Sequence, residues 1–382
     1  MIIDSHMYCF PQADLPQGFP SLDEKMRMMQ SELGAHHQPV WRVRDRAPAD
    51  NGTLIDPDTS DLRDVKWVRH NGGLAWEYDG ETYAKQYYPP MLHNLESPPE
   101  MMIAEMDYAG VDVGIMHVYS FLGGDAVLNP YLKQAVGSFP DRLIRLIKIT
   151  EGAIPDDPEG TVDWLRREIA EDRYVALQFI PGFYYEPTGG VLKGYNEPWD
   201  DGPLAPFWRG VAELGIPVYF TLIGGRGSKT FQRSWRDEYI EEQRVLLRWM
   251  ERYPDVPVVI THGLPWRAFL DGGRISLPDA IWDVFKAPQC HMQLLIPIQM
   301  GNLWEYPWKE AEPTVQECVE NIGAHRLMWG TDMPMVGRFC TYRQSMDQFR
   351  LHCDFLSDTE RADILGGTVA RVMGIDATGI TA

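Results

Sequence analysis

Three short segments of the sequence place histidine or aspartate at the end of an apolar run. They are Asp4-Ser5-His6, Thr261-His262-Gly263 and Gly330-Thr331-Asp332. An imidazole near carboxylates can hold a divalent cation or move protons during catalysis. Because side chains alternate along an extended strand, Asp4, His6 and Tyr8 are expected on one face. These segments supply the candidate catalytic and metal-binding residues, provided that the fold brings them together.

Eight apolar, β-branched runs predict the strands that would position these residues. The runs begin near Ile2, Val111, Leu143, Val175, Ile216, Val256, Met292 and Arg326. After the first gap their spacing is that of strand–helix units, and the intervening segments have helical patterns. Such an alternation indicates an α/β fold with a parallel sheet covered by helices. Eight units predict a (β/α)8 TIM-like barrel, whose strand ends converge on one mouth; an open doubly wound sheet is the alternative.

The long gap after the first strand predicts a large insertion at residues 11–99, within a single barrel domain of residues 1–382. Asp79-Gly80 in this insertion is a strong signal for a β-hairpin turn. Loops that follow barrel strands build the active site, so we interpret the insertion as a lid over the mouth. A surface excursion or an oligomer contact is the alternative interpretation.

The same motifs resemble those of the amidohydrolase superfamily, in particular the branch with aminocarboxymuconate-semialdehyde decarboxylase, resorcylate-type decarboxylases and related lactone hydrolases. The resemblance covers about residues 1–11 and 100–375. The matching segments, in order, are Ile3-Asp4-Ser5-His6 with Phe10-Pro11, Met106-Asp107-Tyr108-Ala109-Gly110-Val111-Asp112, Phe139-Pro140-Asp141-Arg142, Thr261-His262-Gly263 and Arg326-Leu327-Met328-Trp329-Gly330-Thr331-Asp332-Met333-Pro334. The last segment, which ends in Gly-Thr-Asp-x-Pro, is the most specific.

The resemblance implies a role for each strand-end residue. His6 would be a metal ligand, His262 would polarise the substrate or pass protons, and Asp332 would bind metal, activate water, or both. The chain departs from the family pattern at Tyr8 and Thr221, where the family has histidines. Asp4 would be either a third metal ligand, as in the carboxylate-x-His pair of some decarboxylases, or a supporting residue. One divalent metal (zinc, manganese or similar) and a metal-free acid–base pair of Asp332 and His262 both remain open.

Further residues near the predicted strand ends point to a small carboxylate substrate. The residues predicted to bind it are Tyr8, His117, Arg226, Trp266, Arg267 and Arg338. Arginine binds carboxylates through two parallel hydrogen bonds. The alternative for the arginines is that they form ion pairs with neighbouring acidic residues.

Composition excludes several partners. The net charge of -20, from 55 acidic and 35 basic residues, would repel nucleic acids and anionic membranes. The sequence contains no run of apolar residues long enough for a membrane span. Five scattered cysteines without a Cys-x-x-Cys pair, and an N-terminus unlike a signal peptide, predict a cytoplasmic location. Trp304, Tyr306 and Trp308 form an aromatic cluster that favours a homodimer.

Three functions follow from these observations. The leading hypothesis is hydrolysis of a lactone, amide or similar bond in a small aromatic or cyclic carboxylate, carried out by Asp332 and His262. The alternative is metal-dependent nonoxidative decarboxylation of a phenolic or muconate-type acid, which the resemblance to the decarboxylases of this branch and the possible Asp4–His6 ligand pair favour. The third is a catalytically silent barrel that binds a ligand or a partner, motivated by Tyr8 and Thr221 in place of histidines.

Overall fold

The computed structural model of the protein describes residues 1–71, 73–185, 194–222 and 235–376. Within these residues the strands are β1 (Ile3–Met7), β2 (Val40–Arg42), β3 (Pro48–Ala49), β4 (Lys66–His70), β5 (Gly73–Tyr78), β6 (Glu81–Lys85), β7 (Val113–Met116), β8 (Leu143–Ile147), β9 (Val175–Phe179), β10 (Val218–Phe220), β11 (Val258–Ile260), β12 (Leu270–Asp271), β13 (Arg274–Ile275), β14 (Cys290–Leu294) and β15 (Leu327–Trp329). The α-helices of the same residues are α1 (Leu22–Ala35), α2 (Pro99–Ala109), α3 (Asp125–Ser138), α4 (Pro158–Glu168), α5 (Pro181–Tyr185), α6 (Ala205–Leu214), α7 (Trp235–Arg252), α8 (Ile296–Met300), α9 (Glu312–Ile322), α10 (Tyr342–Asp347), α11 (Asp358–Ala362) and α12 (Thr368–Met373).

Eight parallel strands form the barrel that the sequence predicts. Their order in the sheet, β1-β7-β8-β9-β10-β11-β14-β15, is also their order along the chain. The ring closes because the segment after β15 pairs with β1. Met7 and Met333 form a parallel bridge there, and the backbone N–H of Tyr8 donates to the carbonyl of Met333 at 2.7 Å. All eight predicted strands are present, and the predicted barrel fold is confirmed.

Apolar side chains fill the interior of the barrel, so it is a packed core and not a pore. The buried residues of this interior cluster include Ile3, Val113, Ile115, Ile144, Leu146, Ala176, Tyr219, Val259 and Met328. Val369 and Met373 of α12 belong to the same cluster. The last helix therefore covers one end of the barrel interior.

The insertion folds as an antiparallel sheet with one long helix. The sheet has the order β3-β2-β6-β5-β4. The predicted hairpin joins β5 to β6, and Asp79 and Gly80 both adopt positive φ angles of 49° and 75° in its turn. Two successive positive φ angles are typical of a type I′ hairpin turn, whose twist matches that of the flanking strands. No helix of the described residues is long and apolar enough to cross a lipid bilayer.

Candidate active site

Asp332 lies between two histidines at the carboxyl ends of barrel strands. Its Oδ1 is 3.2 Å from Nε2 of His6 and 3.3 Å from Nε2 of His262. His6 is on β1, whereas His262 and Asp332 follow the ends of β11 and β15. Strands that are distant in sequence meet at one mouth because the barrel closes. The structure thus brings together three of the residues that the sequence singled out.

The backbone at two of these residues is left-handed. The φ angle is 63° at His262 and 67° at Asp332. Such a conformation costs a non-glycine residue about 1–3 kcal/mol and is concentrated at functional sites. Gly263 continues the turn with φ 76°, and a Cβ there would lie 2.3 Å from the carbonyl oxygen of Gln293. The Thr-His-Gly segment therefore requires its glycine to turn the chain sharply at the mouth.

The charge states of Asp332 and His6 follow from their surroundings. Burial alone would raise the pKa of Asp332, but the imidazole of His262 outweighs it and lowers the pKa to about 2. Complete burial, together with nearby His262, lowers the pKa of His6 to about 4. At neutral pH the site therefore holds an ionised carboxylate next to a neutral imidazole. Such a carboxylate can attract a cation or accept a hydrogen bond from a water molecule.

Gln293 of β14 determines which ring nitrogen of His6 carries the hydrogen. Its Nε2 donates to the carbonyl of Ser5 at 2.7 Å, and its Oε1 accepts the backbone N–H of His262 at 2.9 Å. Nδ1 of His6 lies 2.9 Å from the same Oε1 and must donate to it. Nε2 of His6 then presents a lone pair, which accepts the hydroxyl of Tyr8 at 2.9 Å. Gln293 was not predicted from the sequence, because a glutamine inside an apolar strand matches no motif.

The same three side chains fit a divalent cation. Nε2 of His6, Nε2 of His262 and a carboxylate oxygen of Asp332 all lie within 4.8 Å of one another. The lone pair of His6 faces an ionised oxygen of Asp332, and a cation between two such acceptors would stabilise both. Two histidines and one carboxylate are a ligand set of catalytic zinc sites, and a carbonyl on the second ring nitrogen is their usual outer partner. Water or a substrate oxygen would complete the coordination.

Asp4 does not join this cluster, which corrects the expectation that it is a metal ligand. Its carboxylate accepts hydrogen bonds from the hydroxyls of Thr331 at 2.6 Å and Tyr342 at 2.7 Å, and from the backbone N–H of His6 at 3.0 Å. Its side chain is fully buried, and burial raises its pKa to about 7. Both oxygens of Asp4 are therefore engaged in tying β1 to the segment after β15, which positions His6 and Asp332.

His117 lies behind His6 and does not line the cavity, so its predicted contact with substrate is corrected. The two rings are stacked, with centroids 3.6 Å apart and planes at 8°. Nε2 of His117 is 3.0 Å from the carbonyl oxygen of Ser5. Burial lowers the pKa of His117 well below its usual value. The ring is thus a neutral packing partner that supports His6.

A cavity of about 130 Å³ opens beside the cluster of His6, His262 and Asp332. Its polar wall residues from the barrel include Tyr8, Thr221, His262, Arg267, Asp332 and Arg338. Tyr8 therefore lies on the cavity wall. Thr221 hydrogen-bonds Gln178 of β9 at 3.0 Å. The insertion contributes His36, His37 and Tyr87 to the same wall, and none of the three was predicted from the sequence.

Two arginines on the cavity wall form no ion pair with a carboxylate of the described residues. Arg338 donates from Nη1 to the carbonyl of Tyr87 at 2.7 Å, and its buried Nε has no partner within the described ranges. Arg267 donates to the carbonyl of Gln299 and to the side chain of Asn302. Burial lowers the pKa of both guanidinium groups, that of Arg267 to about 10. Partly buried cations that form no ion pair favour an anionic ligand.

Trp266 is fully buried and does not line the cavity, so its predicted role in substrate binding is corrected. Its backbone N–H donates to the side chain of Gln299 at 3.0 Å. A short 3-10 helix over Trp266–Phe269 directs the indole into the core, whereas the next residue, Arg267, reaches the cavity. Arg226, which was also predicted to bind substrate, lies outside the described residues.

Comparison with protein families yields one match over most of the chain. A family model described as Amidohydrolase matches residues 3–375. A search of curated proteins finds no significant match.

Solved structures show the same fold at low sequence identity. A probable 2-pyrone-4,6-dicarboxylic acid hydrolase from Acinetobacter baumannii, with citric acid bound, is 18% identical, with a TM-score of 0.54 over 74% of this chain and 91% of its own. A dihydroxybenzoic acid decarboxylase from Polaromonas, with bound manganese and 2-nitroresorcinol, is 18% identical, with a TM-score of 0.54 over 75% and 89%. A TIM-barrel protein from Bordetella bronchiseptica is 16% identical, with a TM-score of 0.54 over 98% of both chains. These structures support the fold.

Proposed function

Because the chain belongs to the amidohydrolase family, we propose that it is an enzyme that hydrolyses a lactone, amide or similar bond in a small aromatic or cyclic carboxylate. One observation carries the proposal. The ionised carboxylate of Asp332 shares a cavity with Arg338, whose partly buried guanidinium forms no ion pair among the described residues. The cavity therefore combines a base for activating water with a cation for anchoring an anionic substrate.

The reaction uses these groups as follows. Arg338 and Arg267 bind the carboxylate of the substrate and orient the scissile bond toward Asp332. Asp332 accepts a proton from water as the water oxygen attacks the acyl carbon. His262 stabilises the negative charge that develops on the carbonyl oxygen. The carbon–oxygen or carbon–nitrogen bond then breaks, and the proton held by Asp332 passes to the leaving group.

A divalent cation held by His6, His262 and Asp332 would lower the pKa of water and polarise the carbonyl. The orientation that Gln293 imposes on His6 is required with or without that cation, because it keeps Nε2 directed at the cluster. Decarboxylation, the alternative from the sequence, drew on Asp4 as a further ligand. Since both oxygens of Asp4 are engaged with Thr331, Tyr342 and the backbone, that argument no longer supports it.

The proposal is tested by incubating the purified protein with a panel of aromatic and cyclic lactones and amides that carry a free carboxylate. Acid release is followed with a pH indicator, and carbon dioxide release with a coupled assay on the same samples. Methyl esters of the anchoring carboxylate serve as matched neutral compounds. We expect acid release from at least one free carboxylate, at a kcat/KM at least ten-fold above that of its methyl ester.

Two results would overturn the proposal. Release of carbon dioxide without hydrolysis would assign the chain to decarboxylation. Equal rates for the free carboxylates and their methyl esters would remove the role of the arginines as an anion anchor.

A further inference from the structure

The insertion supplies the part of the cavity that faces the catalytic cluster from outside the barrel. We call this part the outer wall and define it as His36, His37, Tyr87, Tyr119 and Phe121, all of which line the cavity. His36, His37 and Tyr87 come from the insertion, whereas Tyr119 and Phe121 follow β7. All five side chains carry rings. A wall of ring faces and edges fits a planar or cyclic ligand.

The rings of the outer wall contact one another closely. Tyr87 meets His36 edge-on with ring centroids 5.0 Å apart, and meets Phe121 in the same way at 5.1 Å. Tyr119 contacts Phe121 at 4.7 Å. Its hydroxyl donates to Glu32 of α1 at 2.8 Å, which ties the helix of the insertion to the barrel. The outer wall is therefore one packed unit, although it is built from two parts of the chain.

Lys85 at the end of β6 holds the histidines in place. Its side chain is buried, and its ammonium donates to the carbonyls of Leu33 and His36 at the end of α1 and to the side chain of Asn51 at 2.8 Å. A cation at this position interacts favourably with the carbonyl end of a helix. Lys85 forms no ion pair with any carboxylate of the described ranges. Its contacts are thus directed at the turn that carries His36 and His37.

Two residues after Lys85, the chain reaches the substrate anchor of the barrel. The carbonyl of Tyr87 accepts the hydrogen bond from Arg338, and the guanidinium lies 5.5 Å from the centre of the Tyr87 ring. One short segment of the insertion therefore contacts both the histidine turn and the arginine. A shift of this segment would alter the outer wall and the anion anchor together.

We propose that the outer wall binds the ring of the cyclic carboxylate substrate. Lys85 is then a positioning residue that keeps His36, His37 and Tyr87 in place relative to Arg338. This inference rests on the proposed function and adds the site of ring recognition. The insertion is then a specificity element of the active site.

The test measures the binding of benzoate, an unreactive ring carboxylate, to the full chain by titration calorimetry. The variants are Lys85→Met and His36→Ala, with Lys66→Met as the matched control. Lys66 belongs to the same sheet but is exposed and paired with Glu77. We expect Lys85→Met and His36→Ala to weaken benzoate binding at least five-fold, and the control to change it less than two-fold. For a substrate from the panel, the two variants should raise KM and leave kcat within about three-fold of wild type.

The possible results separate this inference from the proposed function. If Lys85→Met does not fold, as thermal unfolding would show, His36→Ala decides the question alone. Unchanged benzoate binding in His36→Ala, together with a large loss in Arg338→Met, would refute the outer wall and leave the anion anchor intact. Benzoate binding that depends on neither His36 nor Arg338, or no binding by the wild type, would contradict both proposals.

Discussion

Replacing Arg338 by methionine should weaken substrate binding without lowering the stability of the fold. The substitution keeps most of the length of the side chain but removes the guanidinium, which lies partly buried on the cavity wall. In most proteins a buried arginine is paired with an acid, so that its removal leaves a buried charge without a partner. Here no carboxylate of the described residues pairs with Arg338. We therefore expect a large effect on substrate and a small one on folding.

The magnitude follows from the contacts. Removing one partner of a buried, hydrogen-bonded charge pair typically costs about 2–5 kcal/mol of binding. At about 1.4 kcal/mol for each factor of ten, this range corresponds to a rise in KM between roughly 30-fold and roughly 4,000-fold. For stability, the loss of the hydrogen bond to Tyr87 costs about 1 kcal/mol. The removal of an unpaired buried cation offsets this cost, so the free energy of unfolding should stay unchanged or rise.

The assay compares KM, kcat and thermal unfolding of Arg338→Met with those of the wild type. Arg343→Met is the matched control, because Arg343 lies on the neighbouring helix α10 with its side chain 53% exposed. We expect a KM increase of at least 30-fold in Arg338→Met alone. A KM within three-fold of wild type would refute the anchoring role. So would a loss of affinity that merely parallels a loss of folded protein.

Three further predictions concern the cluster and the core. Gln293→Leu removes the acceptor of His6 Nδ1 and should lower kcat/KM about 10- to 100-fold. The assay is steady-state turnover, with thermal unfolding to show that the variant is folded. An unchanged kcat/KM would contradict the proposed orientation of His6. Tyr8→His adds an imidazole where a hydroxyl now contacts His6 at 2.9 Å. We expect calorimetry to show zinc binding that is at least ten-fold tighter than in the wild type. Equal affinity would show that residue 8 does not face His6, His262 and Asp332. Burial raises the pKa of Glu242 from 4.5 to about 7. Between these pH values the folded state keeps a proton that the unfolded state releases, so the free energy of unfolding falls as the pH rises from 4.5 to about 7. Glu242→Gln should reduce that fall by up to about 3 kcal/mol in denaturant titrations, and an unchanged pH dependence would refute the assignment.

The barrel and its central cluster could be predicted from the sequence because both depend on order along the chain. Eight apolar runs at the spacing of strand–helix units predicted a closed parallel sheet. Closure places the carboxyl ends of all the strands at one mouth. The proximity of His6, His262 and Asp332 could be predicted from the barrel fold alone, since each of them ends or follows a barrel strand.

The direction of individual side chains could not be predicted in the same way. Asp4 and His6 share a face of β1 in a simple strand, but only His6 reaches the cluster, because Thr331 and Tyr342 bind the carboxylate of Asp4. Trp266 and Arg267 are adjacent in sequence and differ because a 3-10 turn sends one inward. Such outcomes depend on packing partners that are far apart in the chain.

The contributions of the insertion and of the glutamine amide were missed for a different reason. His36, His37 and Tyr87 reach the cavity only because the insertion docks on the mouth, and no local pattern encodes that docking. Gln293 acts through its amide on a backbone N–H, a carbonyl and a ring. These interactions require the final positions of three strand ends.

The most direct measurement of the central claim is the turnover number of Asp332→Asn. Asparagine keeps the shape of the side chain but cannot accept the proton of water as a base. Asp283→Asn serves as the control, because Asp283 forms an exposed ion pair with Lys286 away from the cavity. We predict that kcat falls between about 100-fold and 10,000-fold in Asp332→Asn and stays at the wild-type value in the control. Benzoate should still bind, because Arg338 and the outer wall remain. A folded Asp332→Asn protein that retains more than a tenth of wild-type turnover would contradict the account.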